Sequence, residues 1–252
     1  MVLIIRPSLP DNNPRQQCRW HAFSTTSSLE YAAAQAIFNA SQLAIGERNA
    51  FILVLAGGTT PRRVYELLRT KVTDWSAWHI YFGDERCLPA GHAERNSSMA
   101  TQAWLDHVSI PASHIHTIPA EQGAEAAASA YAKTLSKVEL FDFVILGLGE
   151  DGHTASLFPN HNWGNSPDSP ATLAVHDAPK PPSERVSLSA PRLSRTRQLM
   201  FLVSGSSKRQ AIMDWRLGKQ IPAAVISPDS GVDVYLEEEL LEPINDTGCQ
   251  SI

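Results

Sequence analysis

Residues 50–61, AFILVLAGGTTP, decide how the chain is read. Seven apolar residues run without alternation and stop at Gly57-Gly58. A short continuous apolar run closed by a turn signal fits a strand buried on both faces, as in a parallel sheet. Thr60-Pro61 then predicts a helix, with Thr60 as its N-cap and Pro61 at its first position, leading into residues 62–68. The same order recurs along the chain. Residues 78–82 (WHIYF) end at Gly83, 141–146 (FDFVIL) at Gly147, and 198–203 (QLMFLV) at Gly205. Helical stretches fill the intervals. Ser27-Ser28-Leu29-Glu30 has the form of a capping box and opens an Ala-rich helix to about Ile45. Residues 97–106, 124–138 and 206–217 also read as helices. Strands alternating with helices predict an α/β sandwich with a mainly parallel sheet.

Composition narrows the class. The chain has 252 residues, 43% hydrophobic and 19% charged, as expected of a globular protein with a sizeable core. Twenty-one Lys+Arg against 26 Asp+Glu give a net charge of -5, which argues against a nucleic-acid-binding domain. No apolar run approaches the roughly 18–20 residues of a membrane helix. The first ten residues are too short in apolar content for a signal-peptide core. Cys18, Cys87 and Cys249 are odd in number and far apart. They form neither a disulfide framework nor a metal knuckle, and the cytoplasm is the expected compartment. The whole chain, residues 1–252, reads as a single domain, with residues 1–19 and 245–252 expected to be weakly ordered. Residues 159–183 hold six prolines and read as a long irregular loop with one short strand near 173–175.

In an open α/β sheet, ligands bind beyond the carboxyl ends of the strands. Four strand ends here carry polar, glycine-marked segments. Gly57-Gly58-Thr59-Thr60 offers close backbone approach, helix-start N–H groups and two hydroxyls, which suits a phosphate. A tight turn with a hydroxyl cap fits the same residues, and the Walker spacing is absent. Lys208 near another helix start is a candidate second phosphate ligand, with a solvated basic pair as the bland alternative. Arg86, in Asp84-Glu85-Arg86, reads either as an anion ligand or as part of a local ion pair.

Gly147-x-Gly149-x-x-Gly152 matches the dinucleotide fingerprint after a strand. Glu150 and Asp151 would repel a pyrophosphate there, Pro159 arrives too soon for a clean helix, and no acidic strand end follows at the expected distance. Asp151 and His153 read better as a catalytic pair: an imidazole that takes a proton from water, and a carboxylate that orients it. A histidine capping the turn is the bland alternative. His114-x-His116 lacks a paired carboxylate at metal spacing, which disfavours zinc.

The whole set resembles the 6-phosphogluconolactonase family, within the wider group that includes glucosamine-6-phosphate deaminase. The resemblance spans residues 20–241 in order. It rests on the strand-Gly-Gly-Thr-x-Pro loop ending at Pro61, the Trp78 to Met99 segment with Asp84-Glu85-Arg86 and Asn96, the full motif GLGEDGHTASLFP at 147–159, the Lys180-Pro181-Pro182-x-x-Arg185 segment, and Gly205-x-x-Lys208. It implies a three-layer α/β/α sandwich around a modified Rossmann-like sheet. It implies hydrolysis of 6-phospho-D-glucono-1,5-lactone to 6-phospho-D-gluconate, in the oxidative branch of the pentose phosphate pathway, with no metal or organic cofactor. His153 would be the base and Asp151 its orienter. Gly57, Gly58, Thr59, Thr60 and Lys208 would hold the phosphate, with Arg86 and Arg185 nearby. The expected partner is a small phosphosugar lactone, with no nucleic acid or membrane, in a monomer or small homo-oligomer. Thr59 replaces the commoner Ser, and Cys87 stands where Val or Tyr is usual. The deaminase branch carries a catalytic Glu in a Phe-Asn-Glu-Pro context where this chain has Phe158, which disfavours that activity. A non-catalytic phosphosugar-binding protein and a nucleotide-dependent oxidoreductase are the other readings.

Overall fold

A computed structural model describes residues 16–166 and 168–241. In chain order the elements are β1 (Cys18–Phe23), α1 (Thr26–Arg48), β2 (Phe51–Leu55), α2 (Thr59–Leu68), β3 (Trp78–Phe82), β4 (Asp84–Arg86), α3 (Asn96–Ala103), α4 (Ala124–Leu135), β5 (Phe141–Gly147), β6 (Thr172–Val175), β7 (Arg185–Leu188), α5 (Ala190–Ser194), β8 (Thr196–Val203), α6 (Arg209–Arg216) and β9 (Val232–Glu237). Six strands form the central sheet in the order β1-β9-β8-β5-β2-β3. Every pairing in it is parallel. Helices flank the sheet, giving the expected α/β class. The four apolar runs land on β2, β3, β5 and β8. Six of the seven residues of β5 are buried, as a strand covered on both faces requires.

A second, three-stranded antiparallel sheet, β4-β7-β6, departs from the expected single sheet. The short strand expected near 173–175 is β6; it pairs with β7 of the Arg185 segment, which in turn pairs with β4 of the Asp84 segment. Helix starts also differ from expectation. The capping box of α1 is built by Thr25 and Ser28, with Ser28 N–H donating to Thr25 Oγ1 at 3.1 Å. Gly58, at φ +110°, precedes α2, and Thr60 lies inside the helix, its hydroxyl paired with Ser204 Oγ at 2.6 Å. The helix expected over 97–106 breaks at Trp104, and the one over 206–217 begins as a 3-10 turn, Ser206–Lys208.

Weak order was expected through residue 19, and residues 16–19 are among the described residues. Cys18 and Arg19 pair with Val232 and Asp233 in the sheet. Gln16 is buried, donating to the carbonyls of Ala223 and Ile226 and accepting from Trp215 Nε1 at 2.6 Å. Residues 1–15 and 242–252 lie outside the described residues, Cys249 among them. No helix among the described residues is long and apolar enough to cross a membrane.

Glu85 links β4 to α3. It is fully buried and accepts from the N–H groups of Arg86, Asn96 and Ser97 at 2.7–2.9 Å and from the Ser97 hydroxyl at 2.7 Å. Arg95 Nε lies 3.4 Å away. The carboxylate thus caps α3 from a neighbouring strand and complements the positive helix end. Glu85→Ala would leave several buried donors unpaired and is expected to cost about 3–5 kcal/mol of stability. Urea denaturation would measure it, and a loss below about 1 kcal/mol would contradict this account of α3.

Candidate active site

The central sheet reverses its order of growth between β2 and β5. From β2 the chain steps outward to β3, and from β5 it steps the other way to β8 and β9. Such a switch point opens a crevice at the carboxyl ends of the two strands. The loop after β2 begins with Gly57-Gly58, and the loop after β5 carries Gly149 to His153. A cavity of about 350 Å³ lies between them, lined by both loops and by side chains from β4, β7 and the Ser206–Lys208 turn.

His153 lines this cavity and is about one-fifth exposed. Its Nδ1 lies 2.5 Å from Asp151 Oδ1, and the same oxygen accepts the His153 N–H at 3.1 Å. An ionised carboxylate only accepts, so in the neutral imidazole Nδ1 carries the proton and Nε2 the lone pair. Burial alone would raise the Asp151 pKa. The hydrogen bonds from the His153 backbone and ring outweigh it and hold the carboxyl below the usual range.

The loop is shaped for this contact. Gly149 N–H donates to His153 O at 2.7 Å. A Cβ on Gly149 would sit 1.9 Å from His153 Nδ1, so only glycine leaves room for the ring. Gly152 adopts φ +84°, and a Cβ there would strike Ile221 at 2.8 Å. Ala223 N–H also donates to Gly152 O, tying the loop to the segment behind it.

The opposite wall is built around Gly57. A Cβ on Gly57 would meet Asn96 Oδ1 at 2.0 Å. Asn96 Nδ2 donates to Asp84 Oδ1 at 2.9 Å, and Ser156 Oγ donates to Asp84 Oδ2 at 2.6 Å. Both oxygens of this buried carboxylate are therefore satisfied.

Four cationic residues line the cavity: Arg86, Lys180, Arg185 and Lys208. No hydrogen bond or ion pair to the Lys208 ammonium is present among the described residues. Arg86 Nη1 donates to Glu94 O, and Lys180 Nζ lies 3.9 Å from Glu150. Arg185 is buried and lies 5.6 Å over the Phe158 ring. Its Nε and Nη2 donate to the carbonyls of Pro182 and Lys180 at 3.1 and 2.8 Å, so it clamps the proline-rich loop against the cavity. Burial lowers the Arg185 pKa, with Asp84 opposing and Arg86 adding to the fall.

Of the residues singled out from sequence, Gly57, Gly58, Arg86, His153, Arg185 and Lys208 line one cavity, and Asp151 touches it through His153. Thr59 and Thr60 do not line it: Thr59 is exposed at the start of α2, and Thr60 is paired with Ser204. Lys180, Asn96 and Asp84 line it without having been assigned a role, and so does Phe158, singled out only as standing where the deaminase branch has its Glu. Asn96 and Phe158 lay inside the quoted motifs, but a motif does not say which way a side chain faces. A larger cavity of about 560 Å³ beside α5 is lined by no histidine or carboxylate. Among the described residues no three His, Cys, Asp or Glu side chains cluster as metal ligands. His79, His114 and His116 instead stack on one another and on Tyr81.

Residues 24–235 match the family model described as glucosamine-6-phosphate isomerases/6-phosphogluconolactonase. A 6-phosphogluconolactonase of Synechocystis is 35% identical over 209 residues, which is 78% of this chain and 85% of the relative. One from Mycobacterium leprae is 35% identical over 219 residues, 80% and 88% of the two chains. The crystal structure of a 6-phosphogluconolactonase from Shewanella baltica superposes with a TM-score of 0.77 at 28% identity, covering 89% of this chain and 99% of that one. The chain therefore belongs to the glucosamine-6-phosphate isomerase/6-phosphogluconolactonase family.

Proposed function

We propose that this chain hydrolyses 6-phospho-D-glucono-1,5-lactone to 6-phospho-D-gluconate, as a single-domain cytoplasmic enzyme of the pentose phosphate pathway. The observation that carries this reading is the shared cavity: an Asp-oriented imidazole on one loop and, beside a double-glycine turn on another, a lysine whose ammonium has no partner among the described residues. A lactone is an activated ester, so water suffices as nucleophile. His153 Nε2 takes one proton as the water oxygen bonds to C1. The negative charge that develops on the carbonyl oxygen lies in a cavity with an excess of cationic side chains. As the carbonyl reforms, the C1–O5 bond breaks and the imidazolium returns its proton to O5. Asp151 stabilises the imidazolium between these steps.

The phosphate would lie against Gly57, Gly58 and Lys208. The donors there are backbone N–H groups at the start of α2 and the free ammonium, rather than the threonine hydroxyls. Binding the remote phosphate holds C1 in reach of the water. Phe158 supports lactone hydrolysis over deamination. Its ring lies 4.8 Å from the imidazole, where an apolar group cannot relay a proton to open a sugar ring.

His153→Ala is expected to fold normally and to lower kcat by about 10²–10⁴-fold. Acid release from freshly made phosphogluconolactone would measure it, and near-normal turnover would remove His153 as the base. Lys208→Ala is expected to raise KM by about tenfold or more with a smaller effect on kcat. An unchanged KM for the phosphorylated lactone would place the phosphate elsewhere. Asp151 should titrate below the usual carboxylate range, and His153→Ala should move its midpoint upward. The folded pKa is depressed, so the stability Asp151 contributes is present above the unfolded value and is lost as pH falls through the folded one. Carboxyl-carbon NMR across an acid titration tests this; an unshifted midpoint in the variant would mean that the ring does not hold the carboxylate.

A further inference from the structure

The turn that presents Lys208 is anchored by a carboxylate that does not line the cavity. Glu237 is the last residue of β9 and is half-buried. Gly205 N–H donates to Glu237 Oε2 at 2.6 Å, and the Thr26 hydroxyl at the start of α1 donates to Glu237 Oε1. Gly205 adopts φ +89° and leads the turn Ser206–Lys208, and Lys208 N–H closes on Gly205 O at 3.0 Å. The preceding residue, Ser204, is tied to Thr60 by the 2.6 Å hydroxyl contact. The path from Ser204 to Lys208 is thus pinned at its first two positions, once to the first turn of α2 and once to β9.

We propose that Glu237 is a positioning residue for the Lys208 contact with the substrate phosphate, and this rests on the function proposed above. A lysine ammonium sits on a flexible four-carbon stem, so its usefulness to a remote anion depends on how firmly its backbone is placed. A hydrogen bond from a backbone N–H to an ionised carboxylate is about twice as strong as a neutral one. Thr26 fixes the second oxygen, which leaves the carboxylate one orientation. Gly205 has no side chain, and its left-handed φ gives it no local preference to hold the turn unaided. Glu237 supplies that restraint from the strand beside β8. Its charge does not face the phosphate unpaired, because both oxygens take donors.

The test compares Glu237→Ala, Glu237→Gln, Lys208→Ala and the Glu237→Ala/Lys208→Ala double variant, each on phosphorylated and unphosphorylated glucono-1,5-lactone. Glu237→Ala should raise KM for the phosphorylated lactone about tenfold, leave kcat within about twofold, and leave kcat/KM for the unphosphorylated lactone unchanged. Glu237→Gln keeps an acceptor for Gly205 N–H and should recover most of the loss. In the Lys208→Ala background the Glu237 change should add nothing. Equal losses on both lactones, or full additivity with Lys208→Ala, would overturn the proposal. Should Glu237→Ala fail to fold, Glu237→Gln and Thr26→Val carry the comparison, with Thr26→Val expected to raise KM for the phosphorylated lactone alone. Turnover by the unaltered chain tests the functional reading separately. If that fails, calorimetric affinity for 6-phosphogluconate still reads the effect of Glu237: a weakened affinity in Glu237→Ala supports the proposal, and an unchanged or absent one ends it.

Discussion

A 2.5 Å contact between Asp151 and His153 Nδ1 exists only because Gly149 has no side chain. The ring lies where a β-carbon would otherwise stand. That single vacancy sets the imidazole's position, and the carboxylate then sets its tautomer. The loop can hold so tight a shape because it leaves β5, a strand buried on both faces, and because Ile221 and Ala223 back Gly152 from behind. Parallel strands covered on both faces give a rigid platform for the loops at their carboxyl ends. The geometry of the imidazole is therefore a consequence of the sheet's topology, reached through two glycines.

The same logic applies across the cavity. Gly57 lets Asn96 approach the backbone of the loop after β2, and Asn96 is placed by α3, whose start is capped by Glu85. Asp84 then accepts from Asn96 and Ser156, one residue from each wall. A buried carboxylate so paired costs less than an isolated one, and it ties the β4 segment to the loop carrying His153. This explains why Asp84 and Glu85, adjacent and both buried, coexist at one strand. Glu85 faces a helix start and the guanidinium of Arg95, and Asp84 faces neutral donors. The cationic residues at the cavity lie on separate elements, so their charges converge only in the fold.

How much of this was legible in the sequence depends on what each segment buries. The runs on β2, β3, β5 and β8 are apolar because both faces are covered, and they read directly. In β9, VDVYLE, alternate residues are buried, a period-two pattern that is weaker than the continuous runs and gave no strand on its own. β4 was not readable as a strand. It has three charged residues, and its two buried carboxylates are there to receive donors from α3 and the loop after β5. Thr60-Pro61 misled for a related reason: the hydroxyl that would cap α2 is engaged by Ser204, a residue 144 positions away. The Asp-x-His pair and the double glycine were legible as motifs. Arg185 was legible as a cation near the site, but its two bonds to loop carbonyls, which give it a clamping role, depend on how residues 180–182 fold back.

Membership in a family that spans isomerases and lactonases leaves the reaction to be decided by local chemistry. Ring opening of an amino sugar needs a second proton carrier near the imidazole. Here that neighbour is Phe158, buried, tilted against His153 and with the Arg185 guanidinium over its ring. An aromatic ring at this position lowers the local polarity beside the imidazole and offers no proton of its own. Among the described residues the imidazole has Asp151 as its one carboxylate partner, and that carboxyl is held in its ionised form. A histidine so placed can take a proton from water and give it back, which is all that opening a lactone requires. On the proposed reading, one proton carrier in place of two suits an electrophilic C1 and a good leaving oxygen better than a closed hemiacetal ring.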